Sequence, residues 1–202
     1  MFPTYKSRSV KSGSILFTSD LNPFSLTVSG YEILFRSIKT EIPTHCEIYF
    51  RDIGIISAQF PVVKVVEPRN NYLYIAVNGK LVGEELLYWR NKLLERLGSP
   101  YDLPSLLKFL PDEFTKILTN PLAVKLKEFL GKVPAVGYNC VTLFRGLVPF
   151  NVDGLTVREF MLKLAEHGWK VYRFPPDLVN NLKWKQSPKT EEYEEVKNEE
   201  KT

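Results

Sequence analysis

A thiol becomes a useful nucleophile when it ionises near neutral pH and a base stands within hydrogen-bond reach. Few residues of this chain qualify: two cysteines, Cys46 and Cys140, and two histidines, His45 and His167. Cys140 opens an apolar stretch, Gly137-Tyr138-Asn139-Cys140-Val141-Thr142-Leu143-Phe144-Arg145-Gly146. It reads as a short helix with Asn139 at its N-cap. The unpaired N–H groups of a first helical turn favour a thiolate over a thiol. His45 lies in Pro43-Thr44-His45-Cys46-Glu47-Ile48-Tyr49-Phe50, a strand pattern. There it shares a face with Glu47 and Tyr49, while Cys46, Ile48 and Phe50 point the other way. His167, in Leu164-Ala165-Glu166-His167-Gly168, falls at a helix end, where a cation complements the dipole. That leaves His45 as the base, Cys140 as the nucleophile and acyl transfer as the chemistry. Taken singly, each residue has a plainer reading, a bonded strand histidine and a small buried hydrophobe. The pair, histidine strand first and cysteine helix later, carries the functional reading.

A base needs a group to orient it, and the return strand Ile55-Ile56-Ser57-Ala58-Gln59-Phe60 is the place to look. With a three-residue turn and Phe50 opposite Gly54, His45 pairs with Gln59, whose carbonyl oxygen can accept from the imidazole. A register shift of two would favour Ser57 instead. Zinc is not expected, because no Cys-x₂₋₄-Cys or His-x₃₋₅-His pair is present. No phosphate-cradling glycine loop occurs either, and no cofactor is called for.

The elements that must position these groups are legible in outline. Strands are expected at 14–18, 44–50, 55–60, 62–66 and 71–77, with Arg51-Asp52-Ile53-Gly54 turning the second into the third. Residues 19–30 read as loop and 31–39 as helix or buried turn. A helix over 81–97 stops at Gly98 and Pro100. Residues 103–131 form a helical insert with lysines flanking an apolar stripe, suited to packing on the sheet or to meeting a membrane surface. A last helix over 155–167 precedes a strand over 169–174. Strands first and helices later mean an α+β fold with an antiparallel sheet.

At 202 residues and 44% hydrophobic, the chain can bury one substantial core. One domain over 1–188 is expected, followed by an acidic, disordered tail over 189–202. Residues 191–202 hold six Glu and two Lys, a net of −4, so the remainder carries +8 within an overall +4. That basic charge is scattered, not interleaved with aromatics, so nucleic acid is not an expected partner. No signal peptide and no run of about 18 apolar residues is present, which points to a cytoplasmic protein. Two cysteines without a secretory leader argue against a disulfide framework, with a lone Cys46–Cys140 bridge as the alternative.

Four segments in order carry a resemblance: Ser12-Gly13-Ser14-Ile15-Leu16-Phe17, Thr44-His45-Cys46-Glu47-Ile48-Tyr49, Leu97-Gly98-Ser99-Pro100-Tyr101-Asp102 and Tyr138-Asn139-Cys140-Val141-Thr142-Leu143. Over about residues 12–147 the chain resembles the circularly permuted NlpC-type papain-like amidases, the YaeF/YiiX-like branch. Lecithin–retinol acyltransferase-like proteins are more distant relatives in the same group. The resemblance implies a permuted papain-like fold, with Cys140 as nucleophile, His45 as base and Tyr101 beside the substrate. The implied activity is a cysteine hydrolase or amidase acting on peptide-like amides or esters through a thioester. The same dyad would also serve a lipid acyltransferase or phospholipase, or stand idle in a binding or assembly protein. The sequence departs from the family pattern at Ser14, where Asp is usual, at Glu47, where a small residue is common, and at Val141-Thr142, where Ser-Glu often follows the cysteine.

Overall fold

Strands with both faces apolar are buried on two sides, and the central strands of this chain are of that kind. A computed structural model describes residues 2–7, 9–19, 42–102 and 137–175. Six antiparallel strands form one sheet: β1 Ser14–Thr18, β2 His45–Phe50, β3 Gly54–Gln59, β4 Val62–Val66, β5 Tyr72–Val77 and β6 Lys170–Arg173, in the spatial order β4-β3-β2-β1-β5-β6. Among the described residues two helices, α1 Gly83–Leu94 and α2 Val157–Glu166, complete an α+β fold. Apart from the cysteine segment, the expected helices and strands in these regions are present, with ends that agree or move by at most three residues. The expected helix over 31–39, the insert over 103–131 and the tail over 189–202 lie outside the described residues.

β2 sits inside the sheet, paired with β1 and β3, and all six of its residues are buried. Its even residues Cys46, Ile48 and Phe50 join the larger core with Ile15, Phe17, Trp89, Phe144 and Phe160. Tyr49 joins a second core on the other face with Leu16, Ile55, Tyr72 and Ile75. The turn after Phe50 has the expected register, with Phe50 opposite Gly54 and Ile48 opposite Ile56.

α2 is specified locally. Thr156 Oγ1 accepts from the Glu159 N–H, and the Glu159 carboxylate accepts from the Thr156 N–H at 2.9 Å, a complete capping box. α1 has no side-chain cap and begins at Gly83, whose φ of +57° suits glycine. Trp89 and Leu93 are its buried residues. Trp89 lies 5.6 Å from the Trp169 ring and 6.5 Å from Phe144, which stacks on Phe160 of α2 at 5.0 Å. These contacts tie the segment after Cys140 to both helices.

Candidate active site

The cysteine segment is shorter than a helix. Residues Thr142–Phe144 form a single 3₁₀ turn in place of the α-helix expected from Cys140 onward. Its start is nonetheless capped as the sequence suggested. Asn139 Oδ1 accepts from the N–H of Val141 at 2.9 Å and of Thr142 at 2.8 Å, and the Asn139 N–H donates to Thr142 Oγ1 at 2.8 Å. A turn this short has little dipole of its own, so whatever ionises Cys140 must come from elsewhere.

Distant residues hold the turn in place. Arg96, just past α1, donates from Nη1 to the Leu143 carbonyl and from Nη2 to the Arg145 carbonyl at 2.7 Å. Its guanidinium also lies 4.9 Å from the centre of the Tyr138 ring. Upstream, the Tyr138 N–H donates to the Pro100 carbonyl at 3.0 Å, and the Asp102 N–H to the Tyr138 carbonyl at 3.1 Å. Gly137 makes that approach at φ +108°, and a Cβ there would stand 1.8 Å from the Pro100 oxygen. Only glycine fits. Tyr101 is bridged to Tyr138 and half-buried against the core, two residues from the thiol in the partner segment.

His45 is the first residue of β2 and is buried. Its Nε2 lies 2.8 Å from Ser57 Oγ and 3.6 Å from Glu47 Oε2. Cys140 is the other group that acts on the imidazole, raising its pKa together with Glu47. Glu47 is fully buried. Tyr72 donates its hydroxyl to Glu47 Oε1 at 2.5 Å, and Arg69 Nε stands 3.4 Å from Oε2. Buried carboxylates persist as ions only with such partners.

The ionisation states follow from these contacts. Burial opposes charge on His45, but the hydrogen bonds and charges of Cys140 and Glu47 outweigh it and push its pKa up to about 10. Burial raises Glu47 too, yet the His45 hydrogen bond, the charges of His45 and Arg69 and the Tyr72 hydroxyl together hold it below the usual carboxylate range. Cys140 is drawn well below an ordinary thiol, first by a hydrogen bond from Cys46, against burial, and then by the hydrogen bond and charge of His45. Cys46 moves the other way, pushed up chiefly by burial. Its thiol also donates to the Cys140 carbonyl at 3.1 Å. The favoured pair is thus a Cys140 thiolate and a His45 imidazolium at neutral pH.

The orienting residue differs from the expectation. Gln59, expected across from His45, makes no hydrogen bond to it among the described residues. It ends β3 half-exposed, paired with Val62 of β4. Ser57, diagonal to His45 on the same face and fully buried, takes the imidazole instead. The turn keeps the expected Phe50–Gly54 pairing, and the partner is Ser57, two residues from Gln59 and the alternative offered by that strand. Glu47 was overlooked as a partner although the strand alternation already put it beside His45. Arg69, Tyr72 and Arg96 had no local signal at all. His167 caps the end of α2, its Nδ1 2.8 Å from the Lys163 carbonyl, and it plays no part in the site.

No group of three or more metal-ligating side chains occurs among the described residues. No helix among them is long and apolar enough to cross a membrane. Comparison with protein-family models, curated proteins and solved structures finds no match to this chain.

Proposed function

We propose that this chain is a cysteine-dependent hydrolase with a permuted papain-like arrangement, in which Cys140 attacks a peptide-like amide or an ester carbonyl. The observation that carries the reading is the buried His45–Glu47 pair beside Cys140, because it stabilises an imidazolium where a thiolate needs one. The order of the parts, a histidine strand ahead of a cysteine turn on an antiparallel sheet, supports the permuted arrangement and the resemblance given above. Two buried, free cysteines suit a reducing compartment such as the cytoplasm.

The thiolate adds to the carbonyl carbon, and the oxyanion is met by the Cys140 backbone N–H. The His45 imidazolium then gives its proton to the leaving nitrogen or oxygen, and the carbon–heteroatom bond breaks to leave a thioester. Neutral His45 next takes a proton from water as the water attacks, and the acid product leaves with the thiolate restored. Ser57 and Glu47 are positioning residues that fix the ring and its charge. Tyr101, flanking the cysteine segment, borders the substrate.

The test is the pH dependence of Cys140 alkylation, read at that residue by peptide mass spectrometry with Cys46 left in place, since the Cys46 thiol donates to the Cys140 carbonyl. A midpoint well below the ~8.5 of a free thiol, raised by His45→Ala, is the expected result. An unreactive Cys140, or one indifferent to His45→Ala, refutes the dyad.

A further inference from the structure

We propose that Cys46 is the resolving partner of Cys140: after a hydroperoxide oxidises Cys140, the Cys46 thiol closes a Cys46–Cys140 disulfide that turns the site off reversibly. The inference rests on the reading of Cys140 as a thiolate and gives a second task to the cysteine beside it.

The two residues come from distant parts of the chain, yet both lie in one core cluster. The Cys46 thiol donates to the Cys140 carbonyl oxygen at 3.1 Å, which sets its sulfur directly against the Cys140 residue. Both are free. Their reactivities are opposed, as a peroxidatic and a resolving thiol require: Cys140 is held ionised by His45, whereas burial keeps Cys46 protonated and quiet. Cys46 is fully buried and Cys140 is 6% exposed, so the oxidant must be small.

In the first step the Cys140 thiolate attacks the near oxygen of the hydroperoxide. An S–O bond forms and the O–O bond breaks, giving a sulfenic acid and, with one proton taken up, an alcohol or water. In the second step the Cys46 sulfur attacks the Cys140 sulfur. The S–S bond forms, the S–O bond breaks, and the hydroxyl departs with the Cys46 proton as water. Two thiols lose two electrons and the hydroperoxide gains them. A dithiol reductant reverses the change.

The experiment treats the full chain with hydrogen peroxide in the presence of dimedone, which traps sulfenic acids, and maps both cysteines under non-reducing conditions. Wild type should yield a linked Cys46–Cys140 peptide, little dimedone adduct, and Cys140 alkylation that returns after dithiothreitol. Cys46→Ser should carry about tenfold more dimedone on Cys140. The linked peptide is read on wild type alone, so the proposal stays testable even where Cys46→Ser folds poorly. Equal dimedone trapping in both chains with no linked peptide, while iodoacetamide still labels Cys140, overturns the proposal and leaves the thiolate reading intact. Resistance of Cys140 to peroxide and iodoacetamide alike overturns both.

Discussion

The two halves of the candidate site are held by different physics. The histidine half is rooted in the middle of a sheet and surrounded by buried charge: His45, Glu47 and Arg69, with the Tyr72 and Ser57 hydroxyls completing it. The cysteine half is a single turn fixed by shape and backbone hydrogen bonds, with Gly137 against Pro100 and Arg96 gripping two carbonyls. One half sets the charge and the other sets the position. Damage to the first should therefore move pH profiles, and damage to the second should weaken the fold and reactivity together.

The largest effect is expected at Gly137→Ala. The added Cβ must displace the Pro100 carbonyl at an unfavourable φ, which should cost about 3 kcal/mol or more by denaturant unfolding. Cys140 alkylation should then drift toward that of an ordinary thiol. Wild-type stability in this variant would mean the half is less tightly seated than its geometry indicates.

Glu47→Gln tests the electrostatic half. The thiolate–imidazolium pair exists between the lowered pKa of Cys140 and the pKa of about 10 on His45. Activity should rise with pH through the first and fall through the second, as the imidazolium loses the proton it gives the leaving group. Removing the carboxylate lowers the His45 value and so brings the alkaline limb down. A lowered alkaline limb, with about 2 kcal/mol of lost stability as the Arg69–Glu47 and Tyr72–Glu47 contacts weaken, is the expected pair of results. An unmoved alkaline limb would remove Glu47 from the site.

Arg96→Lys keeps the charge but cannot fork to the Leu143 and Arg145 carbonyls. About 1–2 kcal/mol should be lost, with slower alkylation at every pH and no change in profile shape. Ser57→Ala should cost about 1 kcal/mol and lower turnover several-fold by loosening the imidazole. Smallest for the site is Thr156→Ala, which removes the α2 cap. It should destabilise the protein by about 1 kcal/mol while leaving Cys140 reactivity as it was.

The same contrast governs how much could be read from the residues. The strands were legible because burial on two faces leaves long apolar alternations, and the hairpin register followed from the turn after Phe50. Glu47 was in view through strand periodicity, two residues from His45, but its value depended on Arg69 and Tyr72, which come from beyond β4 and from β5. Gln59 was chosen over Ser57 because directly opposed residues are the simplest guess, and the sequence does not say how an imidazole tilts. The cysteine turn was expected to be a helix because its capping residue is a good one. Its actual length is set by Arg96 and the Phe144–Phe160 stack, partners remote in sequence.

The bridge between Tyr101 and Tyr138, closed by the Asp102–Tyr138 hydrogen bond, has a consequence for how such a protein can change. Tyr101–Asp102 and Gly137–Tyr138 are joined side by side, so the frame that seats Cys140 closes on itself at this junction. By general chain statistics, the entropy of joining two points grows only with the logarithm of the number of residues between them, about 0.6 kcal/mol for each doubling. A change in how many residues separate 102 from 137 should therefore leave the seat of the nucleophile nearly as stable as before.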